Sequence, residues 1–298
     1  MNNMGEYLEA ISIGILVASF FLNTRRGLKA IELCRECFLL LKGKPGLTGH
    51  KLSHLFYKKI YLIMANASSL NSDNTNAIKY AEKLVQICSE CGERLDECRL
   101  SIKLAGTYLS QKRYLNAKHL YEKALHFGID ILSRVDAAWC NGKLGAVYQS
   151  IGEYEKGREH LEKSLAIYKE IGDREGEARC YESLGLVHKS ISEYEKSREH
   201  LEKSLAIYKE IGNREREACC YESLGLVYMS IREYEKSREH LEKSLAIYKE
   251  IGVREGEACC CRNLGMVHKS ISEYEKSREH LEKSLAIYKE ISVREGEA

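Results

Sequence analysis

The chain has 298 residues, 44% of them apolar and 30% charged, with a net charge of +2 and a single proline, Pro45. That composition suits a soluble helical protein and supplies no one-signed basic stripe of the kind that gathers phosphates, so a nucleic-acid partner is not expected. A length that would make two ordinary domains has a different meaning if the sequence repeats itself, and it does.

The chain opens with an apolar run, Ala10 to Leu22, of about 13 residues, short of the roughly 20 that a spanning helix needs. Glu6 and Glu9 precede it and Arg25 and Arg26 follow, which is not the basic leader of a signal peptide. The expectation is a buried first helix and no membrane contact. Residues 1–96 read as a helical region of two degenerate hairpins, near 5–43 and 50–94. Cys34 with Cys37 and Cys88 with Cys91 form two C-x2-C pairs, but on apparently continuous helices, whereas zinc knuckles of that spacing sit on turns. No metal is expected there, and twelve cysteines without a secretion signal point to a reducing, cytoplasmic setting.

From residue 97 the pattern sharpens. Leu104, Tyr108, Tyr114, Ala117, Tyr121 and Ala124 fall at helical spacing, and from Trp139 onward the sequence repeats every 40 residues without an insertion. The segment EYEKSREHLEKSLAIYKEI recurs letter for letter from Glu193, Glu233 and Glu273, and from Glu153 with Gly157 in place of Ser. Within one unit, Cys180, Leu184, Val187 and Ile191 make one helical stripe, and Tyr194, Ser197, Leu201, Leu205, Tyr208 and Ile211 make a second. Between them Ser192-Glu193-Tyr194-Glu195 reads as a capping box, with Gly152 and Arg232 replacing the Ser in two copies. Gly172, Gly212 and Gly252 suit the left-handed residue that ends a helix, and Asp173 and Asn213 suit the N-cap of the next. Cys140, Cys180, Cys220 and Cys260 recur at the period as small buried packing residues.

These residues resemble the tetratricopeptide pattern: Asn141-x2-Leu144-Gly145-x2-Tyr148 followed by Tyr154, Leu161 and Leu165, then Leu184-Gly185 with Tyr194, Leu224-Gly225-x2-Tyr228 with Tyr234, and Leu264-Gly265 with Tyr274. The glycine has a physical reason, because a bare Cα lets the two helices of a hairpin approach closely. The family's usual period is 34 and its units close with a proline; the longer second helix and missing proline here resemble the repeats of Pins-type G-protein signalling modulators. The resemblance implies an all-α fold, a right-handed superhelical solenoid of antiparallel helical hairpins, with five units over 97–298 and the last one uncapped. It also implies a concave groove lined mainly by first helices.

The second helices are nearly invariant, so they cannot distinguish one unit from the next. Differences gather on the first helices: Arg179/Cys219/Cys259, Glu182/Glu222/Arg262, Leu186/Leu226/Met266 and Lys189/Met229/Lys269, with Trp139, Gly142 and Ala146 in the same row one unit earlier. That spacing of 3, 4 and 3 is one helix face beside the packing stripe. It is the candidate groove, and a row of Leu and Met edged by charge suits an amphipathic helix or an extended peptide. The Lys and Asn clamp by which some family members grip acidic chaperone tails is absent from those positions.

No catalytic constellation, cofactor motif or phosphate-cradling loop stands out, and His160, His200, His240 and His280 simply recur with the unit. The reading is therefore a non-enzymatic interaction scaffold that holds a protein or peptide. The alternative is the regulatory arm of a longer signalling protein or enzyme, because Glu297-Ala298 reads as the opening of another first helix. Leu281, Leu285 and Tyr288 would then be uncovered in this chain, which predicts self-association.

Overall fold

A computed structural model describes residues 2–43, 51–127 and 132–297. Pro45 and Ala298 lie outside the described residues. Among those residues there are fourteen helices, and they form two compact units, Met1–Ser133 and Arg134–Ala298. The contacts thus divide at Ser133 and not between 96 and 97, a boundary that falls inside a helix.

The first unit holds α1 (Asn2–Asn23), α2 (Gly27–Lys42), α3 (Lys51–Leu70), α4 (Asn74–Glu90), α5 (Arg94–Ser110) and α6 (Tyr114–His126). They pair as hairpins, α1 with α2, α3 with α4 and α5 with α6, each stacked on the next. The expectation of a buried first helix fails. Ile11, Ile15 and Ala18 enter the core with Ala30, Cys34, Leu41 and Ile60, but Ile13, Leu16, Val17 and Phe20 are exposed. The apolar run is also longer than expected, since α1 is long and apolar enough over Gly5–Asn23 to cross a membrane by length and composition alone. A run that is apolar all round hides from the sequence which stripe the fold covers.

The second unit holds α7 (Arg134–Ser150), α8 (Tyr154–Ile171), α9 (Arg174–Ser190), α10 (Tyr194–Glu210), α11 (Arg214–Ser230), α12 (Tyr234–Ile251), α13 (Arg254–Ser270) and α14 (Tyr274–Glu297). Each odd-numbered first helix pairs with the second helix that follows, and each second helix packs on the next first helix. Close approach within a hairpin depends on one residue. A Cβ on Gly185 would lie 2.7 Å from Leu201 Cγ and 3.2 Å from the Ser197 carbonyl oxygen, and Gly145, Gly225 and Gly265 are equally crowded. In the space so made, Ser197 Oγ donates to the Gly185 carbonyl at 2.7 Å and Ser237 Oγ to that of Gly225 at 2.8 Å.

Between hairpins, Leu201 packs with Leu224 and Val227, and Leu241 with Leu264 and Val267. Burying a leucine contributes about 1.5–3 kcal/mol, so these contacts hold the stack. The periodic cysteines are part of the same seam: Cys140, Cys180, Cys220 and Cys260 are buried, and Cys180 Sγ meets Ser164 Oγ at 3.2 Å. Burial pushes the Cys220 and Cys260 thiols up to about 12, which makes them poor nucleophiles. Arg174, Arg214 and Arg254 tie each first helix to the far end of its hairpin through Glu210, Glu250 and Glu290 at 2.6–2.7 Å, on the exposed surface.

The turn chemistry corrects the capping box. Ser192 is not an N-cap but the left-handed residue after α9, with φ 62°, and Arg232 and Ser272 stand in the same conformation at 64°. The Glu193 N–H reaches back to the His188 carbonyl at 2.9 Å and the Ser192 N–H to that of Lys189 at 3.0 Å, the paired bonds of a Schellman turn. Gly152, with φ 80°, is therefore the copy that fits without strain. Glu193 instead binds His188 Nδ1 at 2.7 Å and Lys196 at 3.0 Å, holding its carboxyl below the ordinary range. The glycines after second helices behave as expected, left-handed at φ 73°, 70° and 71°, and Asp173 and Asn213 cap α9 and α11. Ser292 takes the place of that glycine after the last copy, and α14 continues through it to Glu297.

Candidate functional site: the first-helix row of the second unit

Helices α7, α9, α11 and α13 lie side by side, which brings each position of the row beside its counterpart in the neighbouring unit. Leu186 and Leu226 are half-buried, while Met266 is 46% exposed. Met229 turns inward onto the Leu241–Leu264–Val267 cluster, so it serves packing more than surface.

The charged members of the row reach across helices. Glu182, half-buried, accepts from Tyr208 Oη at 3.3 Å and faces Arg216 at 3.6 Å. Burial raises its carboxyl above the ordinary range, and Arg216 opposes that shift. Glu222 accepts from Asn263 Nδ2 at 2.9 Å, and burial raises it likewise, against the pull of Arg262 and Lys189. Lys189 is depressed by burial, with Glu222 restoring part of its charge preference. Cys219 Sγ sits 3.0 Å from Tyr248 Oη. Arg262 and Lys269 are exposed. The two glutamates are therefore engaged within the protein and are less available to a partner than their sequence positions imply.

The row also holds a feature that the comparison of copies missed. Trp139, Lys143, Tyr168, Arg179, Ser183 and Arg216 line a cavity of about 260 Å³, and no carboxylate is among its walls. Lys143 Nζ lies over the Trp139 ring at 5.3 Å and the Arg179 guanidinium over Tyr168 at 5.9 Å. Arg179 has an outer partner in Glu175 at 3.4 Å. Lys143 has no ion pair among the described residues; burial, then the nearby Arg179 and Arg216 charges, push its pKa down. Three cations thus border one partly desolvated space, with Glu175 and Glu182 offsetting Arg179 and Arg216 from outside its walls and Lys143 left uncompensated.

The tetratricopeptide repeat profile matches residues 136–210 and 216–290. The chain belongs to the tetratricopeptide repeat family. Solved structures of similar fold include the apo form of RapI, with 14% identity over 95% of this chain and 98% of that one, at a TM-score of 0.69. Aspartyl phosphate phosphatase F from Bacillus subtilis shares 12% identity over 94% of both chains at a TM-score of 0.65. BtubC (BKLC) from P. vanneervenii shares 19% identity over 74% of this chain and 90% of that one at 0.60. At such identities the likeness is one of fold. No curated protein matches the sequence.

In tetratricopeptide terms the missed residues had a signal. Arg216 stands where the neighbouring copies have Gly176 and Gly256, whose bare Cα atoms pack against the Tyr168 and Tyr248 rings. Lys143 lies one helical turn beyond Trp139, on the same face. The recurring histidines are half-buried against the first helices: His160 stacks on Tyr148, His200 on His188 and His280 on His268, with centroids 5.0–5.4 Å apart. In the first unit, Cys91 sits just past the end of α4, not within a continuous helix. Cys88 Sγ lies near the Glu93 and Asp96 carboxylates, and Lys58 Nζ bonds both of them, at 2.9 Å to Asp96.

Proposed function

We propose that the first-helix row of the second unit is the docking surface of a non-enzymatic interaction scaffold. Its partner is a peptide or amphipathic helix that sets apolar side chains against Leu186, Leu226 and Met266. An acidic side chain of the same partner enters the cavity between Lys143, Arg179 and Arg216. The observation that carries this reading is the cavity itself: three cations around a space without a carboxylate, bordered by two aromatic faces. Arg179 and Arg216 each have a glutamate partner outside the cavity walls, whereas Lys143 has none among the described residues, so the three cations keep one positive charge uncompensated, which an acidic side chain would neutralise. An apolar anchor gives affinity and the charge gives orientation. A count of twelve cysteines suits a reducing, cytoplasmic setting for such a scaffold. The likeness to Pins-type modulators concerns unit length, and Leu186, Leu226 and Met266 replace the Asn that those grooves favour, so their partners are not carried over.

Trp139 is the chain's one tryptophan, so its fluorescence reports on the cavity. The probe is a short amphipathic peptide with a Glu pair beside leucines, titrated against the same peptide with Gln. The acidic peptide should give a saturable change that weakens with added salt, and the Gln peptide should bind at least about tenfold less tightly, the worth of one good charged hydrogen bond. Arg216→Gly, a change that neighbouring copies already carry, should remove most of the preference for Glu. Equal binding of both peptides by both proteins would show that the cavity does not read charge.

A further inference from the structure

Two exposed apolar faces of this chain match each other in register. The α1–α2 turn holds Arg25 left-handed at φ 57°, as the α9–α10 turn holds Ser192 at 62°. Aligning the two hairpins on those residues sets Ala30, Cys34 and Leu41 against Ser197, Leu201 and Tyr208, and all six are 0–1% exposed. The alignment is therefore one of structure and not of numbering alone. It also sets Ile13, Val17 and Phe20 against Cys180, Leu184 and Val187.

In α9 those three residues are 3%, 1% and 0% exposed. They lie against α8, in clusters that hold Tyr154, Leu161, Leu165 and Tyr168. In α1 their counterparts are 55%, 38% and 60% exposed, and Leu16 beside them is 70% exposed. The repeat gives the α8 face its own counterpart in α14: Tyr274, Leu281, Leu285 and Tyr288. There Leu281 is 39% exposed, Leu285 55% and Tyr274 66%, although Leu201 and Leu241 at the same place in α10 and α12 are fully buried. One end of the helix order thus offers an uncovered first-helix stripe and the other an uncovered second-helix stripe.

We propose that a second copy of this chain covers them: Ile13, Val17 and Phe20 of one copy dock on Leu281, Leu285 and Tyr288 of another. The contact would repeat between copies the one that α8 makes with α9 within a copy. Its chemistry agrees, because from Ala10 to Asn23 the α1 sequence carries no charge to desolvate. The geometry is head-to-tail, so association proceeds beyond a dimer unless the chain of copies closes on itself. This goes beyond the groove reading and does not depend on it.

Sedimentation equilibrium of the full chain, Val17→Glu and Leu285→Lys tests it, with helical circular dichroism checking that each is folded. The average mass of the unaltered chain should climb with concentration, whereas each variant alone should remain monomeric. Their equimolar mixture should stop at a dimer, because one variant keeps an intact α14 face and the other an intact α1 stripe. Should Val17→Glu lose helix, Phe20→Lys takes its place. A monomeric unaltered chain overturns the proposal. So does a Val17→Glu protein that associates as the unaltered chain does, which would mean α14 pairs with α14. A chain that is monomeric in solution but floats with anionic-lipid vesicles would assign the α1 stripe to a membrane surface instead.

Discussion

Helices α10 and α12 have the same sequence and the same buried residues, Ser197, Leu201, Ser204, Ile207 and Tyr208 in one and their counterparts in the other. Helices α9 and α11 differ at two of the four row positions, Arg179/Cys219 and Lys189/Met229, and at the first of these the environments differ too: Arg179 lies over Tyr168, whereas Cys219 meets Tyr248 Oη. The contrast separates two duties. Second helices fix the spacing of the stack through packing that tolerates little change, while first helices present a surface whose residues can vary without disturbing that spacing.

The largest effect expected from this division is in the packing helices. Leu201→Ala, at a fully buried site, should lower unfolding free energy by about 2–5 kcal/mol, read from denaturant melts. Leu186→Ala in the half-buried row should cost less than half as much. Comparable losses would mean that the row is core and not surface.

The turns between these helices give a smaller effect of opposite sign. Ser192 and Arg232 hold a left-handed backbone that disfavours side chains by about 1–2 kcal/mol. Ser192→Gly and Arg232→Gly should each stabilise by up to about 1 kcal/mol once the unfolded chain's added freedom is subtracted, whereas Gly152→Ala should destabilise. Were Ser192 an N-cap, as its sequence suggests, Ser192→Gly would be close to neutral or harmful.

The pH response sharpens the contrast further. Burial lowers the pKa of His200 and His280 below 6.5, and Lys196 and His188 lower that of Glu193 below 4.5. In both cases the unfolded chain binds the proton more readily, so stability should fall as pH drops below about 6.5 and fall again through the carboxylate range. Glu182 and Glu222 in the row are raised and act in the opposite sense, favouring the folded state as they take up a proton. His200→Phe should flatten the decline between about pH 6.5 and 5 in thermal melts. Glu182→Gln should steepen the loss at lower pH by removing the opposing term.

Much of this was legible because repetition states a packing rule several times. Leu201, Gly185, Cys180 and Gly172 each recur at fixed spacing, so their shared duty shows before any coordinates. The first unit carries the same rule in other letters, with Ala30, Cys34 and Leu41 where Ser197, Leu201 and Tyr208 stand. Such substitution by size preserves burial and erases the pattern. Ser192 misled because a Ser three residues before a Glu has the same spelling as a cap, and only the backbone angle tells the end of one helix from the start of the next. The cationic cavity was hidden because its members, Lys143, Arg179 and Arg216, come from three helices at different places in the unit.

The most direct test of the division between packing and presenting helices is calorimetric titration of a partner captured with the whole chain against four variants. Leu226→Ala and Arg216→Gly alter the row, and Glu199→Ala and Lys203→Ala alter the second helix. The row variants should weaken binding about tenfold or more, as the loss of a buried apolar anchor or a charged bond does. The second-helix variants should bind as the unaltered chain does. Binding that survives Leu226→Ala and Arg216→Gly but is lost with Glu199→Ala or Lys203→Ala would contradict the account and assign recognition to the second helices.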